Sequence, residues 1–311
     1  MPDFALTLIA PPGGPVLTRG IVIDIHGRIP SIKRRPPHWL APSESCEIGV
    51  EVDDEFPYAV LQDLCDTAIR AEVLGSKPID MALLPVARRR KRLLVADMES
   101  TIIQQECLDE LADYVGLRSQ VADITDRAMR GELDFETALV QRVALLKGLD
   151  ARILDEVYEK RVSLMQGAET LLGTMKAEGA FCALVSGGFT FFTEKIAKRL
   201  GFDTHQANSL EIADGKLTGR VQKPILGRAA KLAALEHLTR KLQLEPDATM
   251  AVGDGANDLD MLKAAGLGVA FRAKPKVQKA AASHANGAVI THGDLTALLY
   301  LQGYSRNEFA D

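Results

Sequence analysis

The fold of the chain is decided by the stretch Leu93–Glu106, which reads LLVADMESTIIQQE. It begins with four apolar residues, Leu93–Ala96, as a buried parallel strand does. The strand ends at Asp97, and Glu99 follows two residues later. Ligands bind at the carboxyl ends of strands in open parallel sheets, so one of these acids could attack and the other could transfer protons. The alternative is an acidic turn that follows the strand without a function.

Composition sets the class of protein. The chain has 311 residues, 47% of them hydrophobic and 25% charged, with a formal net charge of −5. These are ordinary globular values at a length that suits two domains. The net charge gives no indication of a nucleic-acid or anionic-membrane partner, and we predict neither. No apolar run approaches the roughly 20 residues that a membrane span needs.

The four cysteines are scattered, with no CxxC pair and no nearby histidine partner. This spacing argues against a zinc site and against a disulfide framework. The first residues, MPDFALTLIAPPGG, lack the basic and apolar regions of a signal peptide. We therefore predict reduced cysteines and a cytoplasmic protein.

Residues 1–85 predict a small α+β module without a catalytic constellation. Its predicted elements are strands at Phe4–Ile9, Gly20–Ile25, Gly49–Val52 and Asp80–Leu84, a helix at Tyr58–Leu74, and a basic, proline-rich loop at Lys33–Pro42. Three roles stay open for this module: regulation, dimerisation into a homodimer, or packing. The run Ala87–Arg92 that follows, ARRRKR, suits either an anion or nucleic-acid patch or a solvated linker end. We predict the linker, because the run is short and no aromatic residues interrupt it.

From Cys107 to about Met165 the apolar spacing is almost purely helical. Four short helices are expected, and Asp134 has the position of an N-cap, with Thr137 three residues on. No strand interrupts them. We predict a helical subdomain inserted after the first core strand.

Two further buried strands end in chemically suggestive turns. Ala180–Ser186 runs into Gly187 and Gly188, where bare backbone N–H groups and one hydroxyl suit a phosphate. Thr249–Gly253 runs into Asp254, and Asp258 follows. Carboxylates that converge above one sheet repel each other unless a cation lies between them, and hard oxygen ligands suit Mg²⁺.

The rest of the chain completes an alternation of strands and helices. Asp214-Gly215 predicts a hairpin, and Gly227–Leu242 predicts a helix that carries Lys231. The predicted fold class is α/β, with a doubly wound parallel, Rossmann-like core. The predicted domains are residues 1–85, a core formed by 86–106 and 166–311, and a helical cap over 107–165.

Together these groups form a site for phosphoryl transfer. Asp97 would attack phosphorus and form an aspartyl-phosphate, and Glu99 would protonate the leaving alcohol and then deprotonate the attacking water. The residues expected on Mg²⁺ are Asp97 and Asp254, and those expected on the phosphate oxygens are Ser186, the Gly187 N–H and Lys231.

Four motifs of this sequence resemble the signature motifs of the haloacid dehalogenase-like phosphatases, in the same order and at similar spacing. They are DMEST at Asp97–Thr101, SGG at Ser186–Gly188, Lys231, and GDGAND at Gly253–Asp258. Within that superfamily the chain is most similar to the phosphoserine phosphatases. This closer resemblance is carried by Glu106, by the stretch Gly131–Leu149 and by the stretch Val252–Pro275. It covers about Leu93 to Leu299. Bacterial members often carry an N-terminal regulatory module that resembles the amino-acid-binding ACT fold.

The resemblance implies residue roles that the spacing does not assign. Glu106 would hold the ammonium group of the substrate and Arg142 its carboxylate, since the donors of an arginine match both oxygens. Asn257 would contact substrate or phosphate, and Asp258 would orient Lys231 and support the metal site. The backbone carbonyl of Glu99 is implied as a third Mg²⁺ ligand.

The function implied is Mg²⁺-dependent hydrolysis of O-phospho-L-serine, the last step of L-serine biosynthesis. The sequence departs from the family at Glu99, where an aspartate is usual. Two alternatives stay open: a phosphotransferase or a phosphatase for another small phosphate, and a non-catalytic amino-acid-binding protein on a degenerate fold. Glu99 is the only support for the last of these.

Overall fold

The computed structural model describes residues 3–14, 16–29, 35–52, 57–130 and 132–310. Up to Pro85 the chain forms a four-stranded antiparallel sheet in the order β2-β3-β1-β4. Its strands are β1 (Phe4–Ile9), β2 (His38–Ala41), β3 (Ser45–Val50) and β4 (Asp80–Pro85), and its helices are α1 (Arg19–Arg28) and α2 (Tyr58–Leu64), which continues as a π-helix over Cys65–Leu74. Leu6, Ile25 and Ile69 belong to the shared core of this N-terminal sheet and its helices.

The strand predicted at Gly20–Ile25 is wrong, because these residues lie in helix α1. Their β-branched side chains, Ile21, Val22, Ile23 and Ile25, favour a strand. The preceding Thr18 nevertheless caps a helix, since its side chain accepts a hydrogen bond of 3.3 Å from the backbone N–H of Ile21. The buried Val22, Ile25 and Ile29 then share one helical face.

The loop predicted at Lys33–Pro42 is also wrong in part, because His38–Ala41 forms edge strand β2. The prolines that favour a loop flank this strand, Pro36 and Pro37 before it and Pro42 after it, so they remove no hydrogen bond from its ladder. Lys33 and Arg34 lie outside the described residues.

The second sheet has six parallel strands in the order β12-β11-β10-β5-β6-β7. Its strands are β5 (Leu93–Ala96), β6 (Phe181–Phe189), β7 (Thr204–Asn208), β10 (Thr249–Gly253), β11 (Gly268–Phe271) and β12 (Gly287–Ile290). The helices that connect them are α7 (Ala168–Ala177), α8 (Thr190–Leu200), α9 (Arg228–Lys241), α10 (Leu259–Ala264) and α11 (Pro275–Ala282), and α12 (Ala297–Leu301) follows β12.

This sheet is buried on both faces. Leu94 and Ala96 of β5 belong to one apolar cluster, whereas Leu93 and Val95 belong to another. Since successive strand residues point to opposite faces, each cluster fills one side of the sheet. The predicted doubly wound α/β class is confirmed.

Five helices lie between β5 and β6, and we call the first four, which precede α7, the helical insertion. They are α3 (Cys107–Tyr114), α4 (Arg118–Met129), α5 (Phe135–Ala144) and α6 (Ile153–Arg161). The predicted N-cap is confirmed, because Asp134 Oδ1 accepts a hydrogen bond of 2.7 Å from the N–H of Thr137. Gly131, which begins one of the motif stretches, lies outside the described residues.

The chain enters and leaves the helical insertion through two segments that lie side by side. Ile103 and Leu164 form an antiparallel bridge. The N–H of Gln104 donates to the carbonyl of Ser163 at 3.0 Å, and the N–H of Met165 donates to that of Ile102 at 2.8 Å. The insertion is therefore attached to the core by a paired double connection.

The predicted hairpin is confirmed as β8 (Leu210–Ala213) and β9 (Lys216–Val221). Asp214 and Gly215 both have positive φ, at 50° and 72°, as a two-residue turn of this kind requires. Gly219, also at positive φ, comes close to the end of helix α5, since a Cβ there would be 3.2 Å from the carbonyl oxygen of Ala144. The hairpin thus packs beside the helical insertion.

The solvated linker predicted at Ala87–Arg92 is wrong in part: four of its six residues are exposed, but the run is also tied to other parts of the chain. Arg89 binds Glu47 of the N-terminal sheet at 2.5 Å, and Arg90 binds Glu308 near the end of the chain at 2.5 Å. Lys91 is only 7% exposed. Its ammonium donates to the carbonyl of Asp247 at 2.6 Å, and burial lowers its pKa to about 8. These basic side chains therefore hold the N-terminal sheet and the chain end against the core.

Among the helices of the described residues, none combines the length and the apolar character that a membrane crossing requires.

Candidate active site

A cavity of about 410 Å³ opens where β5, β6 and β10 end. It is lined by groups from the core, among them Asp97, Glu99 and Asp254, and by groups from the helical insertion, among them Glu106 and Arg142. Because these three strands are parallel, their carboxyl ends place distant parts of the sequence at one edge of the sheet. The predicted acids therefore meet in one cavity.

Asp97 lies directly after β5 and is 5% exposed. Its N–H donates to the carbonyl of Val252 at 3.0 Å, which continues the ladder between β5 and β10 by one residue. Its Oδ1 accepts a hydrogen bond from Lys231 Nζ at 2.6 Å. Burial raises the pKa of Asp97 well above its usual value, against the opposing effect of the Lys231 charge.

Lys231 projects from the first turns of α9 and is 2% exposed. Its ammonium also lies 2.6 Å from Asp258 Oδ1. Burial lowers the pKa of Lys231, but attraction to Asp97 and Asp258 outweighs burial, and the net pKa is raised. A lysine held between two carboxylates is thus charged beneath the cavity.

Asp258 is fully buried, and both of its oxygens are hydrogen-bonded. Oδ1 accepts from Lys231, and Oδ2 accepts from the N–H of Gly255 at 2.9 Å. A Cβ on Gly253 would lie 2.3 Å from Asp258 Cγ, so the end of β10 needs a glycine for Asp258 to approach. This geometry is consistent with the orienting role predicted for Asp258.

The donor set fits a hard divalent cation. One carboxylate oxygen from each of Asp97, Asp254 and Asp258 lies within 4.8 Å of the others. Burial, followed by the charges of Asp258 and Glu106, raises the pKa of Asp254 to about 6. Because the oxygens of Asp258 already have partners, Asp97 and Asp254 are the carboxylates best placed to hold Mg²⁺.

Glu99 is held by the start of the helical insertion. Its Oε1 accepts a hydrogen bond of 2.7 Å from the N–H of Cys107, the first residue of α3. Burial, followed by the charge of Glu106, raises the pKa of Glu99 to about 8. In the ligand-free site this carboxyl group is therefore protonated at neutral pH, as a general acid must be.

The predicted Ser-Gly-Gly turn is instead part of β6, which continues to Phe189. The hydroxyl of Ser186 accepts a hydrogen bond of 2.9 Å from the N–H of Gly188, so its own hydrogen stays available to donate. Gly187 lines the cavity beneath Phe135, and a Cβ on Gly187 would lie 3.2 Å from that ring. Three predicted residues lie behind the cavity wall rather than on it: Ser186, Lys231 and Asp258.

The helical insertion supplies the other end of the cavity. Glu106, the N-cap position of α3, accepts a hydrogen bond of 2.8 Å from Ser100 Oγ. Arg142 lies on α5, where its Nε donates to the carbonyl of Ala138 at 3.3 Å and the rest of the guanidinium is left for a ligand. Phe135 and Asn257 also line the cavity. A carboxylate and a guanidinium thus lie in this part of the cavity wall.

Three residues of this region, Asp109, Arg228 and Asn208, have no motif that would have identified them from the sequence. Asp109 and Arg228 line the cavity, and Arg228 forms a two-pronged ion pair with Asp260. Lys274 also lines the cavity; it lies in the motif stretch Val252–Pro275, where no role was assigned to it. Asn208 ends β7 and is nearly fully buried. Its side chain donates to the carbonyl of Gly187 at 2.8 Å and accepts from the N–H of Leu226 at 2.7 Å, which ties the end of β6 to the loop before α9.

Comparison with known proteins agrees with this architecture. The sequence profile of the haloacid dehalogenase-like hydrolases matches residues 94–263, more than half of the chain. A phosphoserine phosphatase of Streptomyces coelicolor is 47% identical over 78% of this chain and 57% of its own length. One from a Polaromonas species is 46% identical over 68% of this chain and 89% of its own length. The chain spans 57% of the length of SerB2, the phosphoserine phosphatase of Mycobacterium tuberculosis, at 44% identity.

Solved structures show the same fold. A HAD family hydrolase of Salmonella enterica superposes with a TM-score of 0.79 at 29% identity, over 96% of this chain and 98% of that one. A probable phosphoserine phosphatase of Vibrio cholerae superposes with a TM-score of 0.74 at 30% identity, over 98% of this chain and 88% of that one. From its sheet, its acidic cavity and these matches, the chain belongs to the haloacid dehalogenase-like hydrolase family.

Proposed function

We propose that this protein hydrolyses O-phospho-L-serine to L-serine and phosphate, with Mg²⁺ as its cofactor. The observation that carries the proposal is that one cavity brings together two sets of charged side chains. Asp97 lies beside Lys231 and Glu99 at one end, and Glu106 and Arg142 line the other. The names of the similar phosphatases support the same substrate.

At the phosphate end, Asp97 is the nucleophile. Lys231 binds its Oδ1, which leaves Oδ2 as the oxygen that attacks phosphorus. The Ser186 hydroxyl and the Gly187 N–H would bind non-bridging phosphate oxygens. Asp97, Asp254 and the Glu99 carbonyl would hold Mg²⁺, which when bound supplies positive charge to the phosphoryl group.

Glu99 donates a proton in the first step and accepts one in the second. In the first step the Asp97 oxygen bonds to phosphorus, the bond from phosphorus to the serine oxygen breaks, and that oxygen takes the Glu99 proton. In the second step Glu99 accepts a proton from water, the water oxygen bonds to phosphorus, and the aspartyl bond breaks. Phosphate leaves, and Asp97 and protonated Glu99 are restored.

At the substrate end, the charges match an amino acid. Glu106 would bind the ammonium group, and Arg142 would bind the carboxylate through its planar donors. Asn257 would contact the substrate or its phosphate. The apolar side chains of Phe135, Leu108 and Leu139 complete this end of the cavity and exclude water from it.

The wider setting is part of the same proposal. Residues 107–165 would act as a cap over the core formed by 86–106 and 166–311, and residues 1–85 as a regulatory or dimerising module. A cytoplasmic location and a place at the last step of L-serine synthesis fit this activity. The four buried cysteines, none in a disulfide, suit a reducing compartment.

Phosphate release with Mg²⁺ tests the proposal. Phosphoserine should be hydrolysed faster than phosphothreonine or sugar phosphates, and an added acceptor alcohol should not divert the phosphoryl group. The Asp97→Asn variant, folded by circular dichroism, should release none. Equal turnover of a sugar phosphate, or phosphorylation of the alcohol, would instead support the alternative phosphatase or phosphotransferase activities.

A further inference from the structure

A side chain of the N-terminal sheet reaches into the core. Asp80, the first residue of β4, is 4% exposed. Its carboxylate accepts hydrogen bonds from three successive backbone N–H groups, those of Thr291 at 2.9 Å, His292 at 3.0 Å and Gly293 at 2.8 Å. Hydrogen bonds to a charged acceptor are stronger than neutral ones, so Asp80 fixes the conformation of the loop that follows β12.

That loop in turn holds the segment by which the chain leaves the helical insertion. The N–H of Leu295 donates to the carbonyl of Gln166 at 3.0 Å. Gly167, at positive φ, lies so close to the loop that a Cβ would be 2.8 Å from Thr296 N. The outgoing segment, residues 163–167, thus lies between residues 102–104 on one side and the loop 291–296 on the other.

Arg272 makes a second connection between the same parts. Its guanidinium donates to the carbonyl of Gly293 at 3.3 Å and lies 3.5 Å from the sulfur of Met165. Its backbone has a positive φ of 45°, which a non-glycine residue adopts only where its surroundings hold it. Two residues later the N–H of Lys274 donates to the carbonyl of Asp254 at 3.2 Å.

We propose that Asp80 is a positioning residue for the helical insertion: through the loop 291–296 and Arg272 it fixes the outgoing segment 163–167, and so the placement of Glu106 and Arg142 over the core. The N-terminal sheet would then contribute to the active site without touching substrate. This inference builds on the proposed function. Only its kinetic test rests on that function, because the hydrogen-exchange test does not involve a substrate.

Hydrogen exchange, followed by mass spectrometry on the full chain, tests this placement. Asp80→Asn replaces acceptor oxygen with an amide that cannot accept all three N–H groups. We expect exchange to quicken about tenfold in residues 291–296 and also in residues 163–167. Glu47→Gln is the matched control, because Glu47 is a similarly buried carboxylate that joins the N-terminal sheet to Arg89 and has no hydrogen bond to that loop.

Steady-state kinetics should distinguish the Asp80→Asn variant from the Glu47→Gln control in the same way. In Asp80→Asn the KM for phosphoserine should rise several-fold with a smaller change in kcat, whereas Glu47→Gln should match the wild type. Faster exchange in 291–296 with unchanged exchange in 163–167 would overturn the proposal, whatever the substrate is. Should Asp80→Asn not fold, Arg272→Lys gives the second test, since it must also quicken exchange in 163–167.

Discussion

The carboxylate of Glu99 lies against the backbone of Gly188, so closely that a Cβ on Gly188 would stand 2.7 Å from Glu99 Oε2. The same carboxylate accepts a hydrogen bond of 2.7 Å from the N–H of Cys107. A glutamate therefore fits here because one glycine leaves room for its extra methylene and one backbone N–H fixes its end. Glu99, which replaces the usual aspartate of the first motif, is thus accommodated by the backbone around it.

This contact predicts that Gly188→Ala lowers kcat at least tenfold, because the new methyl group displaces the proton donor, and general acid–base catalysis contributes about 10² to 10⁴ in rate. The KM should change little. The double variant Gly188→Ala with Glu99→Asp should recover activity, since aspartate is one methylene shorter. Steady-state kinetics of the three variants measures this, and equal losses in the single and double variants would contradict it.

Substitution of Glu99 itself tests its proton-transfer role. Glu99→Gln should lose most of its turnover, whereas Glu99→Asp should keep or raise it. The raised pKa of Glu99, about 8, predicts that kcat/KM of the wild type falls as pH rises through the pKa, because the protonated form is then lost. A Gln variant with full turnover and an unchanged pH profile would remove Glu99 from the mechanism.

Mg²⁺ should stabilise the protein more at pH 7.5 than at pH 5. The raised pKa of Asp254, about 6 in the ligand-free fold, means that its contribution to stability is complete below its usual value of 3.8 and is lost as pH rises through 6. Mg²⁺ replaces the lost proton, so its effect on Tm grows over that range. Thermal unfolding with and without Mg²⁺ measures this, and Asp254→Asn should abolish the difference between the two pH values.

Removal of the Arg142 guanidinium should raise the KM of substrates that carry a carboxylate much more than the KM of substrates that lack one. Arg142→Ala should raise the KM for phosphoserine about 10- to 150-fold, since a hydrogen bond to a charged group contributes about 1.5 to 3 kcal/mol. The KM for para-nitrophenyl phosphate, which has no carboxylate, should stay within about twofold of the wild type.

Arg127→Ala is a matched control for this prediction, because Arg127 lies on α4 of the same helical insertion and pairs with Glu132 away from the cavity. It should leave both substrates unaffected. An equal rise in KM for both substrates in Arg142→Ala would place Arg142 at the phosphate instead.

The strands of the parallel sheet could be predicted from the sequence because each is encoded by a local run of apolar residues. Apolar runs such as Leu93–Ala96 and Thr249–Gly253 are strands from end to end, and the acids that follow them meet because parallel strands share an edge. Lys231 is different, since nothing local separates it from a surface lysine. Its expected role came from the other groups of the predicted phosphoryl-transfer site, and its burial between two carboxylates appears only in three dimensions.

Other features could not be predicted because their causes are tertiary. The segment Gly20–Ile25 has the β-branched composition of a strand, yet the cap at Thr18 and the packing of Ile25 make it a helix. The basic run before β5 has the composition of a solvated linker, yet its partners lie at Glu47 and Glu308, far along the chain. Asn208 has no motif and is identified only by its hydrogen bonds, which join the end of β6 to the loop before α9.

The paired connection at Ile103 and Leu164 has an evolutionary consequence. Because the chain returns beside the point where it departed, everything between these residues can lengthen, shorten or be exchanged without altering the order or register of the six parallel strands. One contact limits this freedom, because the N–H of Cys107, which lies inside the segment, donates to Glu99 of the core. A replacement segment would therefore have to begin with a helix whose first N–H keeps that position.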